Sequence, residues 1–134
     1  MFKRRYPEWR KSYEERDYLG TIRIIEKLPK KQRESKGAMF AFAESHRLLD
    51  HRTEAMTAYH AILKRNPKDS MALDGLGLVA IADSDFENAI KFLRKARALS
   101  PENTNIATNL AGTYHSTGQL EDAMGLYQEL SRVL

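Results

Sequence analysis

Cysteine is absent from the 134 residues, which removes a disulfide framework, a thiolate metal site and a cysteine nucleophile together. No apolar run approaches the roughly 18 residues needed to span a bilayer. The basic residues of Met1-Phe2-Lys3-Arg4-Arg5 are not followed by the apolar stretch of a secretory signal. The expectation is a soluble, cytoplasmic chain with no membrane contact. Catalytic spacings are also missing. The four histidines, His46, His51, His60 and His115, form no HExxH and no i, i+4 pair, so no metal site is expected. Gly75-Leu76-Gly77 is a bare G-x-G inside a helical pattern; without a preceding strand or a third glycine it reads as close helix packing, not a nucleotide loop. Asp83 with Asp85, and Asp50 with Glu54, lie at turns, where carboxylates favour helix N-termini. No catalytic residue, no cofactor and no enzymatic activity are expected.

What is present is an ordinary globular composition, 42% hydrophobic and 30% charged, in a chain long enough to bury a core without staples. The net charge of +4 is uneven. Residues 1–36 hold 12 Lys and Arg against 6 Asp and Glu, and residues 37–134 hold 10 against 12. The basic character therefore belongs to one end.

The dominant signal is an internal repeat. Ala55, Ala89 and Ala123 are 34 residues apart, as are Pro67 and Pro101. In that register Phe42, Leu76 and Leu110 align, as do Ala43, Gly77 and Ala111, and Tyr59, Leu93 and Tyr127. A turn and restart precedes each repeated alanine: Asp50 to Glu54, Ser84 to Asn88 and Gly118 to Asp122. Each unit thus reads as two helices, predicted over 37–49 and 53–65, 70–82 and 86–98, and 104–116 and 120–132. Pro67 and Pro101 end the second helix of the first two units. Units of this length bury their apolar stripes only by stacking on neighbours, and small residues let helices approach closely.

This pattern resembles the tetratricopeptide repeat over about three quarters of the chain. The second unit is the cleanest match, with Leu73, Leu76, Gly77, Phe86, Ala89, Leu93, Ala96 and Pro101 at consensus places. The first departs at His46, where tyrosine is common, and at Ile62, where alanine is usual. The third has Ala107 in place of a bulky residue and reaches Leu134 without a proline. The resemblance implies an all-α, right-handed superhelix of antiparallel helix pairs. Its units would cover residues 36–69, 70–103 and 104–134, preceded by a basic, degenerate segment over 1–35.

In that segment Tyr18, Ile22, Ile25 and Leu28 support a helix over 17–28, whereas the stretch from Pro7 to Glu15 lacks convincing periodicity. Trp9 and Tyr13, at i and i+4, suit a cap over the first full repeat. At the other end Met124, Tyr127, Leu130, Val133 and Leu134 lack an evident cover. A second copy, a continuation of a longer parent or a bound polypeptide would each supply one.

In the family the first helix of each unit lines a binding groove. The resemblance places Phe40, Glu44, Arg47 and Leu48 there from the first unit, Met71, Asp74, Leu78 and Ile81 from the second, and Asn105, Thr108, Gly112 and His115 from the third. The clamp that some members use for a C-terminal carboxylate is not matched, because Phe40, Glu44 and Gly75 stand where cationic or amide donors are needed. The implied function is a non-enzymatic adaptor, scaffold or chaperone-like module holding a polypeptide by apolar anchors, with Glu44, Arg47 and Asp74 orienting it at the rim. The competing reading covers the same residues with the chain's own first segment or a second subunit. Two other classes stay open. One is a docking or regulatory fragment of a larger enzyme or of a secretion or pilus assembly. The other is phosphate binding through Lys3, Arg4, Arg5, Arg10, Lys11, Lys27, Lys30, Lys31, Arg33 and Lys36, with Tyr6 and Trp9 stacking on bases. Six acidic residues interrupt that run, so a solvated face is the preferred reading and nucleic acid is not an expected partner.

Overall fold

Polar residues with short side chains recur wherever a helix starts. Ser35 accepts a hydrogen bond from the Ala38 amide (3.3 Å), Asp69 from Ala72 (3.0 Å) and Asn103 from Ile106 (3.2 Å). Such caps satisfy amides that have no carbonyl partner within the helix, and these three lie at 34-residue intervals. The computed structural model describes residues 6–133. Among them are nine helices and no strand: α1 (Glu8–Glu14), α2 (Tyr18–Glu26), α3 (Lys30–Arg33), α4 (Lys36–Leu48), α5 (Arg52–Arg65), α6 (Ser70–Ala82), α7 (Phe86–Leu99), α8 (Thr104–Ser116) and α9 (Leu120–Val133).

The tight turns repeat as faithfully as the caps. Arg16, Asp50, Ser84 and Gly118 have positive φ, between 57° and 79°, and they too are 34 residues apart. In each case the amide one residue later reaches back to a carbonyl in the preceding helix: Asp17 to Ser12, His51 to His46, Asp85 to Ala80 and Gln119 to Tyr114, all at 2.8 Å. This left-handed closure satisfies the last carbonyls of one helix and aims the chain into the next. Arg16 obeys the same interval, so the segment before the first full unit carries the same turn geometry at that position although its side chains differ.

Sequence periodicity did not support a helix near Pro7, yet α1 forms there. It is only seven residues long, too short for a periodic pattern to register. Its stability comes from tertiary packing: Trp9 is buried with Ile25, Ala38 and Ala41, and Tyr13, Ile24, Leu28 and Phe42 close around it. That cluster makes Trp9 the lid over α4. The short α3 also follows from Pro29, which precedes it and interrupts the run of α2.

Two bodies are distinguished, Met1–Ile62 and Leu63–Leu134, so the division falls inside α5. The first is built on the Trp9 cluster. In the second, Leu93, Leu110, Ala111, Tyr114, Ala123 and Leu126 form one cluster, and Leu73, Ala96 and Ile106 form another, with Leu63 and Phe92 packed on it. Ala55, Ala89 and Ala123 are 2% exposed or less, which identifies the repeated alanines as packing positions. Gly77 shows why size matters there. A β-carbon at this position would lie 2.7 Å from Leu93 Cγ, and Leu93 is itself fully buried.

Two substitutions are therefore expected to act in opposite directions. Gly77→Ala gains about 1 kcal/mol of helix propensity but overpacks a side chain with no room to move, for a net loss of about 1–2 kcal/mol. Ser84→Gly relieves a left-handed residue and is expected to raise stability by about 0.5–1 kcal/mol. Urea unfolding midpoints of both variants against the parent check the pair; a stabilised Gly77→Ala would refute the close-contact account.

Candidate peptide-binding faces

The residues assigned to a groove divide by body. On α4, Phe40 is half-buried and Leu48 is 45% exposed. Glu44 and Arg47 lie between them, one helical turn apart. Arg47 donates to the Glu44 carboxylate through Nη2 at 2.8 Å and Nε at 3.2 Å. The Tyr59 hydroxyl of α5 donates to the same carboxylate. Tyr59 is fully buried, and burial, followed by the charge of Glu44, raises its pKa well above the ordinary tyrosine value. Burial opposes the charge on Arg47, but the hydrogen bond and charge of Glu44 outweigh it, so the guanidinium pKa is raised. The three side chains are a tie between α4 and α5, a structural task that sequence spacing did not reveal because Glu44 and Tyr59 are 15 residues apart.

On the second body, α6 contributes Met71, Asp74, Leu78 and Ile81. Met71 is 39% exposed, and its sulfur accepts a weak 3.6 Å hydrogen bond from the Asn103 amide. Asp74 is buried and accepts from Asn109 Nδ2 of α8 at 3.0 Å. Leu78 is half-buried, whereas Ile81 packs on the Leu93–Leu110 cluster. From α8, Asn105, Thr108 and His115 are exposed, and Gly112 has open space where a side chain would stand. Thr108 Oγ1 donates to the Thr104 carbonyl at 2.7 Å. The accessible part of this face is thus Met71, Leu78, Asn105, Thr108 and His115, while Asp74 and Ile81 face inward.

On α9, Met124, Tyr127 and Val133 are 58%, 44% and 69% exposed. Leu130 is instead buried, as are Ala123 and Leu126; Leu134 lies outside the described residues. Sequence reasoning missed Leu120, 53% exposed, although its i, i+4 and i, i+7 relation to Met124 and Tyr127 places it on the same stripe.

The basic end is partly committed. Lys3, Arg4 and Arg5 lie outside the described residues. Trp9 is buried against Ile25, Ala38 and Ala41, as a packing cap would be, and its ring is not available for base stacking. Arg10 sits over the Tyr6 and Trp9 rings at 5.5 and 5.7 Å, and the Tyr6 hydroxyl donates to Glu14. Two histidines that sequence spacing left apart also meet. His46 Nδ1 and His51 Nδ1 are 3.1 Å apart across the α4–α5 turn, and the His46 ring stands edge-on to Phe42 at 4.6 Å. Burial, followed by the His51 charge, lowers the His46 pKa below the ordinary 6.5, against smaller opposing effects of Glu54 and Glu26. No helix among the described residues is long and apolar enough to cross a membrane.

Two sequence profiles described as tetratricopeptide repeat match the chain, one over residues 38–69 and the other over residues 80–133. Among curated proteins none matches the sequence. Solved structures resemble it closely in fold. The structure titled MamA 41-end from Desulfovibrio magneticus RS-1 superposes with a TM-score of 0.82 at 18% identity, covering 92% of this chain and 70% of that one. A MamA RS-1 ArsTM double mutant gives 0.76 at 20% identity over 95% and 77%. A further MamA crystal structure gives 0.79 at 18% identity over 93% and 73%. At such identities the likeness is one of fold.

The His46 environment has a measurable consequence. A base whose folded pKa is depressed binds fewer protons in the folded than in the unfolded state. Its stabilising contribution is therefore complete above the ordinary pKa of 6.5 and is lost as the pH falls through that value toward the lower folded one. Urea midpoints measured from pH 7.5 down to about 5 are expected to fall in the parent and to fall less in His46→Gln. Parallel curves for the two proteins would remove His46 from the account.

Proposed function

The chain belongs to the tetratricopeptide-repeat family, and from that premise we propose that it is a non-enzymatic module that holds a segment of another protein on the exposed faces of its first-of-pair helices. The observation that carries this reading is the mixed surface of α6 and α8. Met71 and Leu78 offer apolar anchors, and Asn105, Thr108 and His115 offer polar contacts beside them. The Asp74–Asn109 hydrogen bond ties the two helices together beneath that surface, so the face is preorganised and a partner need not order it. Burying one methionine or leucine-sized anchor contributes about 2 kcal/mol, and a few such anchors dominate a protein interface. On the other body Phe40 and Leu48 are proposed as apolar contacts of the same kind. Glu44, Arg47 and Asp74 act in this reading as supports of the surface. The proposed location is the cytoplasm.

The test compares proteins captured from source cells by the parent and by Met71→Glu with Leu78→Glu, each shown by circular dichroism and thermal melting to be folded. Loss of a reproducible partner, with affinity for it reduced about tenfold or more, is the expected result. An unchanged partner set on a folded variant sinks this reading.

Self-association through α9 is the second reading, favoured by the exposed stripe of Leu120, Met124 and Tyr127. Sedimentation velocity is expected to show a concentration-dependent oligomer in the parent that Tyr127→Glu abolishes. A parent that stays monomeric near 100 µM, on the order of weak-dimer affinities, ends it.

A further inference from the structure

A cleft of about 540 Å³ opens on the first body, between α2 and α5, with α4 as its floor. Met39, Phe42 and His46 of α4 lie at its base, at helical spacing, and Ala58 and Ala61 of α5 form one wall. The second body has the equivalent cleft, two repeats further on, between α7 and α9 over α8. There Leu110 and Tyr114 replace Phe42 and His46, and Leu126 and Glu129 replace Ala58 and Ala61. The two differ for reasons visible in sequence. In the second cleft an ion pair between Arg97 and Glu129 joins the walls. The counterparts of those residues in the first cleft are Pro29 and Ala61, so the tie is gone and small side chains leave the floor accessible. Pro29 also brings α2 to an end at Glu26, whereas the counterpart of α7's last residue, Leu99, is position 31. The first cleft is the larger of the two, about 540 against 390 Å³.

The charge of the open cleft is lopsided. Glu26, Glu34 and Glu54 line it against Arg33 alone. The second cleft sets Arg94 and Arg97 against Glu121, Asp122 and Glu129, and Arg97 is already paired with Glu129 across it. In a chain whose overall charge is +4, three carboxylates therefore surround an apolar cleft.

We propose that the cleft between α2, α4 and α5 docks a basic amphipathic helix of a partner protein, its apolar face seated on Met39, Phe42, Ala58 and Ala61 and its Lys or Arg residues paired with Glu26 and Glu54. A helix suits the site because the floor is a ridge of residues at helical spacing lying between two helical walls. Basic flanks suit it because the carboxylates lie at the edge of an apolar, partly desolvated surface, where charge pairing selects partners by sign. This surface is separate from the α6 and α8 face, and its occupancy stands or falls independently of the partner held there.

The test uses the full chain, labelled with 15N, and synthetic helical peptides of ~16 residues, long enough to form a helix on binding. One carries leucine on one face and lysine on the other; a second replaces every lysine by glutamate; a third replaces every leucine by serine. Global charge alone would make a protein of net charge +4 prefer the acidic peptide, so preference for the lysine peptide has to come from the cleft. Expected are chemical-shift changes centred on Met39, Phe42, Thr57 and Ala61 with the first peptide. Binding should be at least about tenfold weaker for the other two peptides. Ala61→Arg, at an exposed helical position, fills the cleft and is expected to lower affinity about tenfold or more; Glu26→Lys does so without touching the floor. The proposal is overturned by equal binding of the acidic peptide, by shifts centred on α6, α8 or α9, or by an absence of binding up to about 1 mM. It is overturned equally by a folded Ala61→Arg or Glu26→Lys that binds like the parent. Cleft resonances that move with protein concentration alone, or on removal of residues 1–5 but not on adding peptide, would give the cleft to a second copy or to the chain's own first residues.

Discussion

Where α6 and α7 cross, the Leu93 side chain occupies the space that any residue larger than glycine at position 77 would need. The same constraint, met by Ala43 and Ala111 in the neighbouring units, fixes how near the two helices of a pair can come. A helix with one apolar stripe has no stable existence alone. Close approach lets the stripe of the second helix meet that of the first, and stacking continues the core into the next pair. The rest of the architecture keeps that geometry in phase. A left-handed residue at every thirty-fourth position turns the chain from the first helix to the second, and a capping side chain at the same interval starts the next pair. Non-glycine residues hold three of the four turns, so the strain of those positions is carried by the packing on either side.

The helices were legible because their signals are local and repeated. Alanine, large apolar and proline positions in a fixed register marked α4 through α9 to within a residue or two. The first body was harder to read, and the reason is physical. The α1 helix draws its stability from Trp9 reaching Ile25, Ala38 and Ala41, contacts that a window of neighbouring residues does not contain. The internal partners of the polar groups assigned to partner orientation were out of reach of sequence for the same reason. Glu44, Arg47 and Asp74 look like surface charges in sequence, yet Tyr59 and Asn109 approach them from 15 and 35 residues away. A charged residue on a helix face does not declare whether its partner is water, ligand or another helix. Leu130 and Leu120 illustrate the limit for apolar residues: both fit a stripe, but only the direction of α9 on its neighbour decides that the first is buried and the second exposed.

Once packing positions are set aside, the remaining residues are free to diverge, and the two equivalent clefts show what divergence does. Their backbones follow the same repeat, and their floors are occupied by residues at the same register. Where Arg97 and Glu129 tie the walls of one cleft, Pro29 and Ala61 leave the other untied, with three carboxylates against one guanidinium around its apolar floor. None of the positions exchanged belongs to the small-residue contacts that set the helix spacing. The cost to the fold is correspondingly small: a solvent-exposed ion pair contributes less than about 1 kcal/mol, and alanine is a better helix former than the residues around it. In the proposed reading, recognition in such a chain rests on the residues beside the regularly spaced packing positions. A repeat register can be assigned without knowing them, and a partner cannot.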